Sequence, residues 1–111
     1  MPRVLIVDFG VIARRGLLGF LDDAGVDVTT ESSDDRVAGR LRETSADVVL
    51  LNLDVEGAAA RARELADTFP HLKVIACSAE RPTMLVLPPN GGGSYMSALT
   101  SARLEAEVRK T

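Results

Sequence analysis

Short unbroken apolar runs alternate along this chain with longer stretches in which apolar residues recur every third or fourth position. Val4-Leu5-Ile6-Val7 and Val48-Val49-Leu50-Leu51 are too short for buried helices and rich in β-branched residues. Each reads as a strand buried on both faces, as parallel sheets require. The pattern places strands over Arg3–Asp8, Ala46–Asp54 and Leu72–Ser78, with a more polar one over Val26–Glu31 suited to a sheet edge.

Between these strands the spacing predicts helices. Leu17, Leu18, Leu21 and Ala24 share a face over Val11–Ala24, and Gly25 stops that helix. Val37, Ala38 and Leu41 share a face over Asp35–Glu43, behind the N-capping candidates Ser32, Ser33 and Asp34. Ala-rich Glu56–Phe69 is intrinsically helical, and Pro70 blocks its continuation. A β-α-β-α-β-α-β order calls for a parallel sheet with right-handed crossovers.

Beyond Ser78 the regularity weakens. Residues 79–93 read as an irregular loop or short helix, because Met84–Leu87 is a brief apolar run and Pro88-Pro89-Asn90-Gly91-Gly92-Gly93 cannot be helical. Ser94–Ala98 reads as a fifth strand, and Thr100 or Ser101 caps a last helix reaching toward Lys110. The expected fold is one α/β domain over residues 1–111, a flavodoxin-like or CheY-like (βα)5 three-layer sandwich. Its five-stranded parallel sheet takes the order 2-1-3-4-5, and its fourth helix is degraded. Chemistry in that order gathers at the switch point between strands one and three, which brings Asp8 and Asn52 together. Asn52 offers a hydrogen-bonding amide, neither a nucleophile nor an anion.

Composition narrows the function classes. A net charge of −3 argues against nucleic-acid binding by this segment, which needs a clustered basic face. One cysteine excludes an internal disulfide framework. No apolar run approaches the roughly 18–20 residues of a membrane span, and no signal-peptide layout follows Met1, so a cytoplasmic location is expected. Cys77 reads as a core residue, His71 as a solvated turn residue, and Asn90–Gly93 as a flexible connector, since no Gly-Lys-Ser/Thr follows it. With no nucleophile–base pair or metal cluster visible, neither an enzyme nor a cofactor is expected.

VLIVD at 4–8 followed by Arg14-x-Gly16-Leu17, DVVLLNLDVEG at 47–57, VIACSA at 74–79 and Gly93-Ser94-Tyr95-Met96 occur in that order. In these segments the chain resembles the receiver domain of bacterial two-component response regulators, in particular the NarL/LuxR-type branch. The resemblance implies a phosphoryl group passed from a histidine kinase to an aspartate ending strand three. Two acids after strand one would help hold Mg²⁺, a lysine after strand five would pair with the phosphate, and a Ser/Thr with an aromatic residue would report the change. This sequence keeps Asp8, but Phe9 replaces the second acid, Asn52 stands at the phosphoacceptor and Ala98 at the lysine. Only Ser78 and Tyr95 match the switch pair.

One carboxylate, an amide and a phenyl ring make a poor Mg²⁺ site, an amide cannot form an acyl phosphate, and alanine supplies no cation for a phosphate. Asp8 is then expected to hydrogen-bond Asn52 or Ser78, and Phe9 to fill the vacated acid pocket. The resemblance implies an atypical, phosphorylation-independent receiver-like regulatory and dimerisation module of a bacterial transcriptional regulator. Homodimers are expected through helix one with helix five, using Leu18, Phe20, Leu104 and Val108, or through the strand-four to helix-five face. DNA would be met only through a separate C-terminal helix-turn-helix output domain, which is not expected within these residues. The alternative is a receiver sensing a small-molecule or protein effector, with a pocket at Phe9, Asn52, Ser78, Met84 and Tyr95. An active receiver using Asp54 is discounted, because Asp54 lies two residues past Asn52, roughly 6–7 Å along an extended chain.

Overall fold

A computed structural model of the protein describes residues 3–7, 15, 16, 18, 19, 21, 25–31, 36–78 and 80–109. Strands β1 (Arg3–Val7), β2 (Asp27–Glu31), β3 (Val48–Asn52), β4 (Lys73–Cys77), β5 (Thr83–Leu87) and β6 (Tyr95–Ala98) form one sheet, ordered β2-β1-β3-β4-β5-β6. The first four are parallel, whereas β5 runs antiparallel to β4 and to β6. Among the described residues, helices α1 (Val37–Thr44), α2 (Ala58–Thr68) and α3 (Ser101–Arg109) accompany the sheet. Arg15, Gly16, Leu18, Gly19 and Leu21 also lie in helical backbone, within the segment where the sequence places its first helix. Ser32, Ser33, Asp34 and Phe20 lie outside the described residues.

The α/β class and the expected early strands are present, but the sheet has six strands rather than five and is not wholly parallel. The added strand is β5, drawn from the stretch that reads as an irregular loop or short helix. A chain that cannot form a crossover helix has a short alternative: reverse at once and pair antiparallel. Ser78 N–H donates to Thr83 O at 3.0 Å, closing that reversal. The Pro/Gly stretch is the next turn. Asn90 and Gly91 both have positive φ, 62° and 75°, and Gly92 N–H reaches Pro89 O at 3.4 Å. Positive φ at both central residues is the type I′ signature that matches strand twist. The expected fifth strand, here β6, is therefore displaced one place outward and runs alongside β5 instead of β4.

Strand alternation divides the core between the two faces of the sheet. Val4, Ile6, Val48, Leu50, Ile75, Met84 and Val86 pack with Leu21 and with Leu104 and Val108 of α3. Leu5, Val7, Val49, Leu51, Val74 and Ala76 pack with Val37 and Leu41 of α1 and Ala62 and Leu65 of α2. Two apolar layers on one sheet explain why β1, β3 and β4 carry unbroken hydrophobic runs.

One residue of β4 breaks that rule. Lys73 is 4% exposed, and its ammonium lies 2.9 Å from Glu107 Oε2 while donating to Glu107 O at 2.7 Å. That carbonyl belongs to the last turn of α3, where helical carbonyls lack intrahelical donors, so one ammonium serves a carboxylate and a helix end together. Tyr95 Oη donates to the same Glu107 Oε2 at 2.6 Å. α3 is thus tied to β4 and β6 through one carboxylate, beside the apolar contacts of Leu104 and Val108.

Removing one partner of a buried pair strands the other charge, at a cost of about 3–5 kcal/mol, whereas replacing both with apolar groups is often neutral. Lys73→Met or Glu107→Leu alone should each lower stability by about that amount in urea unfolding, and the double variant should regain most of it. The Glu107 hydrogen bond, then burial and the carboxylate charge, push the Tyr95 hydroxyl up to about 12. A raised folded-state pKa means that this bond stabilises fully below the unfolded value near pH 10 and is lost as pH rises toward 12. Tyr95 is the only tyrosine and tryptophan is absent, so ultraviolet titration reads it alone. The native protein should resist ionisation past pH 10, and Glu107→Gln should bring the midpoint down.

Candidate functional site

The C-terminal ends of β3 and β4 lie side by side, with Asn52 in register with Cys77. β3 continues its pairing one residue further, Leu53 N–H donating to Cys77 O at 2.8 Å, before the chain turns. The turn is made by Asn52 itself, whose Oδ1 accepts the Asp54 N–H at 3.0 Å. This bond from a side chain to the backbone two residues on is the usual Asx-turn. The residue at the expected phosphoacceptor position therefore uses its amide oxygen to bend the chain.

The bend carries Asp54 to β4. Ser78 Oγ donates to Asp54 Oδ1 at 2.6 Å, and Glu80 N–H reaches Asp54 Oδ2 at 3.3 Å. Arg81 N–H in turn donates to Ser78 Oγ at 3.0 Å. Ser78 is buried at 5% exposure, so its hydroxyl needs both a donor and an acceptor nearby, and it has them. Backbone amide, hydroxyl and carboxylate form one relay joining the β3 exit to the β4–β5 reversal. Asp54, discounted from the sequence as a reactive group, is the centre of the site.

Asp8 and Phe9 lie outside the described residues. Of the other expected site residues, Asn52 and Ser78 come together at this end of the sheet. Ala98 lies at the same end of β6, paired with Thr83, and is exposed. Met84 and Tyr95 do not join them. Met84 is fully buried in the layer under α3. Tyr95 pairs with Val86, three residues from Ala98, or roughly 10 Å along a strand, and is held by Glu107. Of the expected ligand pocket of Phe9, Asn52, Ser78, Met84 and Tyr95, the four described members are spread out, because Cys77 of β4 stands between Asn52 and Met84 in the cross-strand row and the inserted β5 separates Tyr95 from β4.

A cleft of about 260 Å³ does open beside Asn52, between the end of β3 and the start of α2, lined also by Leu51, Val55, Glu56, Arg61 and Glu64. It falls just below the roughly 300–1,000 Å³ of ordinary small-molecule pockets. Gly57, with φ 78°, turns the chain into α2 at its rim, a conformation that side chains resist. Cys77 is 1% exposed and burial pushes its thiol up to about 12, which leaves it protonated and unreactive near neutrality. His71 is an exposed turn residue, as its sequence context implies.

Sequence reasoning missed Lys73 and Glu107, although a lysine inside the run Leu72-Lys73-Val74-Ile75-Ala76-Cys77 already signals a buried partner. It also missed the Asn52–Asp54–Ser78 relay, which requires the two strands to be adjacent. Asp54→Ala leaves the buried Ser78 hydroxyl without its acceptor and should cost about 1–3 kcal/mol in chemical denaturation. Hydrogen exchange at Glu80 and Arg81 should accelerate in the same variant. In comparisons with known proteins, no family model matches the chain, and no curated protein or solved structure matches it either.

Proposed function

We propose that this chain is a phosphorylation-independent, receiver-like regulatory and dimerisation module of a bacterial transcriptional regulator, acting in the cytoplasm, with DNA contacted through a separate output domain. The observation that carries this reading is the 2.6 Å hydrogen bond from Ser78 Oγ to Asp54 Oδ1. In the receiver family that the sequence resembles, the hydroxyl ending the fourth strand reports the arrival of a phosphoryl group on the neighbouring strand. Here a carboxylate supplied by the chain itself already receives that hydroxyl, so an anion is built into the resting structure.

The surrounding chemistry supports the same reading. Asn52 has no carboxylate oxygen to attack a phosphodonor, and its amide oxygen is occupied by Asp54 N–H. Ala98 brings no cation to the end of β6. Phosphorylating Asp54 instead would disturb its bonds to both Ser78 and Glu80. The order β2-β1-β3-β4 agrees with a flavodoxin-like layout in which the β5 reversal replaces a fourth helix.

Incubation with acetyl phosphate, or with beryllofluoride, in the presence of Mg²⁺ tests the proposal. Intact mass, amide NMR shifts and melting temperature should all stay unchanged. A stoichiometric phosphoryl adduct on an acidic side chain would overturn it.

A further inference from the structure

Among the described residues the sheet ends in two edge strands, β2 and β6, and they are unlike. β2 carries a carboxylate at each end, Asp27 and Glu31, with three small residues between them, and Glu31 is paired with Arg40 at 3.4 Å. Such charges guard a strand edge against further pairing. β6, Tyr-Met-Ser-Ala, has none. The uncharged stretch is much longer than the strand: no Asp, Glu, Lys or Arg occurs from Pro82 to Ala102, in a chain of which 26% is charged. Two of the exposed large apolar side chains, Tyr95 at 40% and Met96 at 56%, sit on this edge.

The backbone register identifies what the edge offers. Leu99 N–H donates to Pro82 O at 2.8 Å. Facing residues of an antiparallel pair alternate between bonded and non-bonded, so Ser97 and Tyr95 turn their backbone groups toward β5. Met96 and Ala98 turn theirs outward. On the side chain's own face, Met96 stands opposite half-buried Leu85 of β5.

We infer that the β6 edge is the homodimer interface of this domain, two copies pairing their β6 strands antiparallel about a two-fold axis at Met96. This rests on the dimerisation module proposed above and names its surface. Charge selects the occupant. Self-pairing through β2 would set the Asp27 and Glu31 carboxylates of two acidic copies near one another, whereas β6 meets β6 with no charge to desolvate or repel. The register is self-consistent as well. A two-fold at Met96 pairs an outward-facing residue with itself, so Met96 N–H and O bond their counterparts reciprocally, and Ser94 meets Ala98 of the other copy. Both Met96 side chains and both Leu85 side chains then form one apolar patch on the α1/α2 side. The contact closes as a two-fold and cannot propagate into a filament.

Sedimentation velocity on the 111-residue chain, with Met96→Lys and Ala106→Glu variants, tests this. Met96 and Ala106 are both exposed, so neither change disturbs the core. Wild type and Ala106→Glu, altered on the outer face of α3, should form the same dimer. Met96→Lys sets two like charges across the axis and should weaken dimerisation about tenfold or more, with circular dichroism of the folded domain unchanged. A second variant, Ala98→Pro, removes an outward N–H without breaking a bond to β5 and should weaken the dimer likewise. A dimer untouched by Met96→Lys but lost in Ala106→Glu would overturn the edge and move the interface to the helices, leaving the module reading intact. A wild-type monomer at the highest soluble concentration would overturn the edge and the dimerising role together, while the phosphodonor experiment decides phosphorylation independence separately.

Discussion

Burial of β1, β3 and β4 on both faces is the constraint from which the other features follow. Apart from Arg3 and Asn52 at their ends, the residues of these strands meet either the α1/α2 layer or the layer containing α3, so the strands read as continuous apolar runs and leave no room for a casual polar group. Polar side chains reach the interior only where a partner waits. Lys73 is admitted because Glu107 supplies both a carboxylate and a helix-end carbonyl, and Ser78 because Asp54 and the Arg81 amide complete its hydroxyl.

The same constraint shapes the two ends of the sheet differently. At the start of β4 a buried ion pair ties α3 down, and Tyr95 draws the edge strand into that tie. At the end of β4 the relay from Arg81 through Ser78 to Asp54 is short, satisfied and made of the chain's own groups. Asp54 is the acceptor at its centre, receiving both the Ser78 hydroxyl and the Glu80 N–H. Asn52 bends the chain so that this carboxylate reaches the Ser78 hydroxyl and holds it in a fixed arrangement.

The hairpin of β5 and β6 stands where a degraded helix and a parallel strand are expected from the sequence, and this difference has consequences at the surface. On this hairpin Leu85 of β5 is half-buried and Met96, opposite it on β6, is exposed. Among the described residues the sheet ends in an uncharged strand, β6, beyond which no further strand pairs. The opposite edge strand is bounded by Asp27 and Glu31.

The sequence by itself determined the α/β class, the first four strands, the helices over 37–44, 58–68 and 101–109, and the placement of Asn52 at a strand's end. These follow from local periodicity and from stop signals such as Gly25 and Pro70, which act over a few residues. It also held an overlooked signal for the hairpin, Asn90-Gly91 between two apolar runs, a pairing that asks for positive φ at both positions. Only the tertiary structure decided that Thr83–Leu87 joins the sheet between β4 and β6, that Asp54 meets Ser78, and that Lys73 meets Glu107. Those partners lie 24 and 34 residues apart, and periodicity carries no information about which distant groups face each other. Strand order and register supply it, because they are chosen by the burial of the whole sheet at once.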